Sequence, residues 1–594
     1  MARPYTAKIT VRTVEKVQKN GDIYVIEEQR QYNPEKKYTV TISSKLIGLK
    51  TSKDGKIINT RPRRKFVDMS VEKKSPTGEV TVTKKHVQMM DIIDHMAKKS
   101  GVDDDVYAAT DKPTAKKILS MARYIVCTDA HTLAGVEEWQ YNHPLPYEDG
   151  INKGIYHDLF TEIGKDATLQ QSFFKSRLDR EGEVGIYLAF DSSTSSSCSV
   201  LLEKSGLLRY GFNKDDDGMA TIKYLVLFSL KTKMPIWFTK LPGNIPDVIT
   251  IKQVLNELKA LGVNKVTLVS DNGYYSESNI GEMLWQGFDF ITLGNSDVLW
   301  ARNELDKILT SLKNPARCCP FDLDIHGVTV PVKRTFEWTR TYASQSKGLK
   351  AGDKDNITKT VYLHFFFSSQ RKVNEDAALK RIIMEAKAEI EQGISIDTLK
   401  KPVRDLVKKC CDITYDKAGN AKVIFTDEGF EDACKYHGIF MIVTNRNNGT
   451  FDTLSWYRKR EEIEDFFRRA KQDACMRHVS VWSDEALQGR MFVQFVALCI
   501  YQYTENEIFR VKDECESEKM ADGKKKNKTV MDSDKKLFNW IDSRSIVRIL
   551  NWFDAYEQTT VSEKLKRKRW SSPQTARDKL FLGKLGVIPQ DKAS

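Results

Sequence analysis

Tyr457, Arg460, Glu464 and Lys471 are the side chains of this sequence whose types and spacing most directly suggest shared chemistry. The stretch from Tyr457 to Lys471 contains neither Gly nor Pro. Trp456, Ile463, Phe466, Phe467 and Ala470 recur at roughly helical spacing, which predicts one helix. At about 100° per residue, with Tyr457 at zero, Arg460, Glu464 and Lys471 fall at roughly −60°, −20° and −40°. They therefore share one narrow stripe. An acid flanked by cations and a phenol suits a site that holds a metal and grips phosphates. A solvated face laced with i,i+3 and i,i+4 ion pairs is the competing reading of this helix taken alone.

Two further acids change that balance. The apolar run Val184–Phe190 ends in Asp191, and Lys265–Ser270 ends in Asp271. Both are expected at the C-terminal ends of strands, the edge of an α/β sheet where ligands and catalytic groups collect. A strand-end Asp can also be a mere helix cap or loop anchor. The specific feature is the trio in chain order Asp, Asp, Glu. Two carboxylates from strands and a third from a helix can hold two divalent cations, which in phosphoryl transfer clamp the attacking and leaving oxygens. Oxygen-only ligands favour Mg²⁺ or Mn²⁺.

The elements that must position these groups alternate between strand and helix. Strands are expected at 184–190, 199–202, 224–229, 265–270 and 288–293, with helices at 247–261 and 276–286, so this is an α/β layer with a partly parallel sheet. The alternation stops over 300–450. Strand-like runs at 328–340, 359–368 and 422–426 there surround a charged helix near 373–392, before a strand at 439–444. The gap from Asp271 to Glu464 is too long for one crossover, so an insertion splits the core. Upstream, 22–31 and 37–48 flank the turn signal Asn33-Pro34 and read as a hairpin, followed by loops over 51–85 and helices at 87–99, 112–126, 150–164 and 167–179. After 484 the chain is mainly helical, with an apolar, core-type helix at 491–503, a Lys-rich loop at 517–530 and a basic tail.

Charge is placed unevenly within the net +13. Residues 1–100 hold 22 Lys and Arg against 11 Asp and Glu, residues 501–594 hold 20 against 15, and the middle holds 52 against 55. Basic ends around a near-neutral middle argue for a polyanionic partner. Arg61–Lys65 and Lys564–Arg569 are the densest clusters. With ten cysteines, no Cys-x-x-Cys and nine scattered histidines, no zinc-ligand spacing is evident and free thiols are expected. No apolar run spans a membrane and no secretory signal is apparent, so a cytoplasmic location is expected. There is no Gly-rich phosphate loop. The Asn213–Gly218 segment resembles the start of a calcium loop but has Tyr224 where that loop needs Glu, so it reads as a turn. Cys198, with no His near it in sequence, reads as a structural thiol.

The sequence resembles the DDE transposases of bacterial insertion sequences, in the group whose third block is Tyr-x2-Arg-x3-Glu-x6-Lys. Tyr457, Arg460, Glu464 and Lys471 match that block with all spacings intact. Phe190-Asp191-Ser-Ser-Thr matches the first block, and Ser270-Asp271-Asn-Gly273-Tyr274-Tyr275-Ser276 is similar to the second. Tyr210–Asp215 and Leu241–Asp247 resemble intervening segments. Many relatives carry an Arg soon after the 288–293 strand, where this chain has Gly294-Asn295-Ser296.

The resemblance implies an RNase H-like catalytic core interrupted by a β-rich insertion, with an N-terminal DNA-binding region and a helical C-terminal region. It implies Asp191, Asp271 and Glu464 as metal ligands for two Mg²⁺ or Mn²⁺ ions, and Tyr457, Arg460 and Lys471 as contacts to DNA phosphates. The expected divisions are a basic hairpin plus helices at 1–180, core at 181–299, insertion at 300–437, core with the catalytic helix at 438–505, and a basic helical region at 506–594. The expected partners are double-stranded DNA, as transposon ends and target, and a second copy in a synaptic homodimer, in a nucleoid-associated bacterial setting. An RNase H-like nuclease without strand transfer, and a domesticated DNA-binding protein with an inactive site, are the alternatives.

Overall fold

The computed structural model describes residues 9–587, except 18–22, 34–37, 51–56, 59–79, 129–131, 183–185, 216, 264, 341–347, 416–420, 473–482, 518–527 and 564–565. The chain forms two compact units, one of residues 1–75 with 148–150 and one of the remainder. In the first, β1 (Thr10–Val17), β2 (Ile23–Asn33) and β3 (Tyr38–Lys50) make an antiparallel meander that contains the expected hairpin. Two of its cations are already engaged: Arg12 and Lys16 reach the buried Glu28 at 3.1 and 3.2 Å. The Arg61–Lys65 cluster lies outside the described residues.

The second unit opens with β4 (Thr81–His86) and helices at Gln88–Lys99, Val102–Ala109, Lys112–Cys127, Lys153–Lys165 and Ala167–Asp179. The large sheet follows. Its strands are β5 (Ile186–Ser196), β6 (Thr221–Ser229), β7 (Met234–Pro242), β8 (Val266–Ser270), β9 (Asp289–Gly294), β10 (Asp322–Thr339), β11 (Lys354–Ser368) and β12 (Ile439–Thr444). Their spatial order is β10-β11-β12-β9-β8-β5-β6-β7, with the short Cys318–Cys319 strand beyond β10. Only β5–β8 and β8–β9 pair in parallel. All nine residues of β6 are buried, as expected for a strand covered on both faces.

Three expectations need correction here. Residues 199–202 are not a strand, because Val200–Lys204 is a short helix capped by the Ser199 hydroxyl. The 300–437 insertion is not a self-contained β domain: β10 and β11 extend the core sheet through β12. Only its outer part has a core of its own, where Leu379, Ile383 and Ile390 of the Ser369–Glu391 helix pack with Val407, Cys410 and Val423. The third concerns β5. The apolar pattern ends at Asp191, but the strand continues through Ser-Ser-Thr-Ser-Ser to Ser196 and stays paired with β6. Those buried hydroxyls are satisfied locally, as by Ser192 on Asp247 and Ser196 on Asp217, both at 2.7 Å.

Helix α1 (Asp247–Ala260) links β7 to β8. After β12 come α2 (Thr450–Arg458) and α3 (Glu461–Gln472), so the stretch expected as one helix breaks at Lys459–Arg460. The break is made by three-residue turns: Arg460 N donates to Tyr457 O, Glu462 N to Lys459 O and Ile463 N to Arg460 O. Ile463, Phe466 and Phe467 of α3 are buried, with Phe466 against Phe228 and Phe467 against Tyr224 of β6. On α2, Trp456 stacks on Tyr187 of β5 at 3.8 Å.

The 34-residue α4 (Asp484–Ser517) runs through the second unit and, as expected, is buried over Met491–Tyr501. The Lys153–Lys165 helix crosses it at reciprocal glycines. A Cβ on Gly489 would lie 1.9 Å from Phe160 O, and one on Gly164 would lie 1.8 Å from Glu485 O. Because these N-terminal helices share the core of α4, the first division falls at residue 75 and not at 180. The C-terminal region also departs from expectation. Besides helices at Ile546–Asp554 and Ala576–Leu585 it forms the hairpin β13 (Glu557–Glu563) and β14 (Lys566–Ser571). This hairpin adds to β4 in the order β14-β13-β4, so Lys566–Arg569 of the basic cluster lie in a strand and not in a tail, while Lys564 lies outside the described residues. Most of the Lys-rich 517–530 segment lies outside the described residues. Among the described residues, no helix is long and apolar enough to cross a membrane.

Candidate active site

The sheet sets the positions of the first two acids. Parallel register pairs Ile186 with Val266 and Ala189 with Val269, which brings Asp191 and Asp271 level with each other on adjacent strands. Asp271 immediately follows β8, as expected. Asp191 does not end its strand: it is the sixth of eleven residues in β5 and lies just past the last residue paired with β8. Its side chain is buried, with Oδ1 accepting from Ser192 N at 2.7 Å and from the Tyr274 hydroxyl at 3.3 Å. Burial pushes its carboxyl pKa up, against the opposing pull of Lys214, the Ser192 N–H and Arg460.

The break between α2 and α3 sets the third acid and the cations around it. Arg460 lies in the link and turns into the site. Its Nη2 is 2.8 Å from Glu464 Oε1 and 3.8 Å from Asp271 Oδ2, and its Nη1 is 3.8 Å from Asp191 Oδ2. One guanidinium thus stands among all three predicted acids. Its side chain is 10% exposed, and its Nε and Nη1 have no hydrogen-bond partner. Burial opposes its charge, but Tyr457, Asp271, Glu464 and Asp191 outweigh burial and hold its pKa above the usual value. Tyr457, from α2, donates its hydroxyl to Asp271 Oδ1 at 3.0 Å, and burial followed by the Asp271 charge raises the phenol. Lys471, two turns after Glu464 on α3, pairs with Asp215 at 2.8 Å.

The trio and Lys471, predicted from separate segments, line one cavity of about 430 Å³, and Tyr457 and Arg460 are bonded to its acids. Sequence reasoning missed four other side chains there. Lys214 reaches the Ser192 carbonyl at 2.5 Å, Asp215 holds Lys471, Tyr274 contacts Asp191, and Asp247 accepts from Ser192 and from Lys223 at 2.7 Å. Their segments resemble those of the family, but no spacing rule ties them to the acids. The Gly294-Asn295-Ser296 loop presents no cation, and Asn295 accepts from Asp297 N at 2.8 Å.

A divalent metal fits this donor set. The acids supply only oxygen, no His or Cys among the described residues lines the cavity, and the cluster already draws in a cation in the form of Arg460. Folding also gathers two mixed clusters that sequence spacing hid, His86–His143–Asp554 and Asp376–Cys434–His437. In the first, His143 is already bonded at both ring nitrogens, to Trp139 O at 2.7 Å and Asp554 Oδ1 at 2.8 Å. In the second, Asp376 holds His437 at 2.6 Å and also Lys372. The nine described cysteines are free.

Arg469 lies off the stripe, about 140° round the helix from Glu464. Arg469 points away from Glu464, as its angle requires, but it is buried and pairs with Glu505 of α4 at 2.7 Å and with Gln502 at 3.0 Å. It anchors α3 to α4.

The model of the transposase DDE domain family matches residues 186–500. No curated protein matches the sequence. Among solved structures, the cryo-EM structure of a piggyBac transposase synaptic complex with hairpin DNA aligns over 78% of this chain and 81% of that one, at 9% identity and a TM-score of 0.30. The matched span is more than half of the 594 residues and runs from the start of β5 into α4. It contains all three acids of the cavity, and the chain belongs to the DDE-domain transposases.

Proposed function

We propose that this protein binds the terminal inverted repeats of its own insertion sequence, cleaves DNA there with divalent metal, and joins the freed 3′-OH to target DNA. The observation that carries the proposal is the meeting of Asp191, Asp271 and Glu464 around one guanidinium at the edge of a mixed sheet. The five strands β7-β6-β5-β8-β9, three antiparallel and then two added in parallel, support reading the core as RNase H-like.

In this reading Asp191, Asp271 and Glu464 hold two Mg²⁺ or Mn²⁺ ions, which when bound supply an activated water and neutralise charge on the phosphate. The Ser192 N–H fixes the Asp191 carboxylate and the Tyr457 hydroxyl fixes that of Asp271, so both ligands are oriented beforehand. Arg460 and Lys471 are the phosphate contacts. Each is held by an acid in the DNA-free chain and must exchange that acid for a phosphate oxygen. Tyr457 joins them if its hydroxyl leaves Asp271. The N-terminal unit supplies recognition of the ends, and a homodimer brings two ends together.

The test is nicking and joining of an end-containing duplex with Mg²⁺ or Mn²⁺, beside a binding assay. Asp191→Ala, Asp271→Ala and Glu464→Ala should each abolish cleavage and leave end binding largely intact. Near wild-type turnover in any one of them removes that residue from the metal set. Cleavage without joined products identifies a nuclease instead.

A further inference from the structure

We infer that the three-stranded sheet β14-β13-β4 is a second DNA-docking surface, which grips the backbone of duplex DNA without reading its sequence. The inference rests on the transposase reading above. Strand β14 carries Lys566, Arg567, Lys568 and Arg569 in succession with no acid among them, and 567–570 are all exposed. Among the described residues it is an edge strand, paired on one side only, with β13. Alternate residues of a strand share a face, about 6.8 Å apart at 3.4 Å per residue. The strand therefore presents cations to both faces along a straight edge.

The register defines one of those faces. Thr559 of β13 lies between Lys84 of β4 and Trp570 of β14, and Val561 lies between Val82 and Lys568. Val82 is 58% exposed and Trp570 is 54% exposed, so this face of the sheet is uncovered. Lys84 stands on it and leans on Glu557 at 3.4 Å. Charges on an edge strand can serve simply to block pairing with another sheet. That account explains the edge but not an open face that places an indole and a valine between lysines. Cations along the strand edge can meet successive phosphates of duplex DNA while the indole packs on the sugar between them. A polyanion with apolar surface between its charges answers both observations.

Duplex DNA of arbitrary sequence, titrated by fluorescence anisotropy into the full-length protein across a salt series, tests this. Lys568→Ala/Arg569→Ala should lower the slope of log affinity against log salt by about 2, and weaken binding about tenfold at low salt. Trp570→Ala should weaken binding with the slope unchanged. Thermal melts check folding, and cleavage at saturating DNA should not change. Unaltered slope and affinity in the folded double variant, with wild-type binding intact, overturn the docking surface alone. So does wild-type binding to phosphatidylserine vesicles that the double variant loses while its DNA binding stays. A wild-type protein that binds no duplex at low salt overturns this inference together with the transposase reading.

Discussion

Arg460 occupies the position among Asp191, Asp271 and Glu464 where positive charge is most needed. A guanidinium and a divalent ion compete for the same carboxylates. We predict that Arg460→Gln lowers the melting temperature of the metal-free protein, at a cost on the order of 1–3 kcal/mol, because it leaves three acids without their cation. Mn²⁺ should then stabilise the variant more than the wild type, since a ligand of the native state at free concentration c adds stability as RT ln(1 + c/Kd), which grows as the ion is held more tightly. Equal Mn²⁺ shifts in thermal melts of the two proteins would place the metal elsewhere. Arg469 allows a second prediction. Burial pushes the Glu505 pKa up to about 7, and Arg469 pulls it down. An acid whose folded pKa exceeds its unfolded value contributes stability that is full below about 4.5 and is lost as pH rises toward 7. Removing the Arg raises the folded pKa further and leaves a buried carboxylate unpaired at high pH. Arg469→Ala should therefore melt well below wild type at pH 8, by about 3–5 kcal/mol, and much closer to it at pH 5. A deficit independent of pH would contradict the ion pair.

Between residue and fold stand the elements, and here the sequence could be read only where one local signal decides. Asp271 was readable because β8 is a short apolar run and the acid follows it. Asp191 was placed near the right sheet edge for a wrong reason. Its strand continues in serines whose hydroxyls are satisfied by Asp247 and Asp217, and no hydrophobic pattern marks such a strand. The break between α2 and α3 contains no Gly or Pro, so the wheel treated Tyr457 and Glu464 as one stripe, although their spacing still identified the site. The insertion strands join the core because β12 pairs with both β9 and β11, a long-range match that periodicity cannot express. The crossing of α4 with the Lys153–Lys165 helix was likewise invisible, since a glycine inside a helical pattern predicts only a local cost. In the structure that glycine is a contact. We predict that Gly489→Ala pushes the helices apart and costs at least about 1–3 kcal/mol, read as a lower urea midpoint. A raised midpoint, reflecting the roughly 1 kcal/mol by which helix propensity favours Ala over Gly, would mean that the crossing is looser than the backbone positions indicate.

For the molecule as a whole, the order in which its parts can form follows from one pairing. Strand β4 finds β13 more than 470 positions further along the chain, Lys84 on Glu557 being one of their contacts. At roughly 5–20 residues per second, β4 waits on the order of a minute on the ribosome before its partner is synthesised. During that time it is an open strand edge, and its Lys84 and Lys85 are what keep it from pairing with a neighbouring chain. The β13–β14 hairpin thus completes this sheet. A messenger cut short before Glu557 yields a chain that contains every acid of the active site and yet has an unclosed sheet. Such a product should sediment with aggregates while the full-length protein stays in solution, so that an incomplete enzyme is removed before it meets DNA.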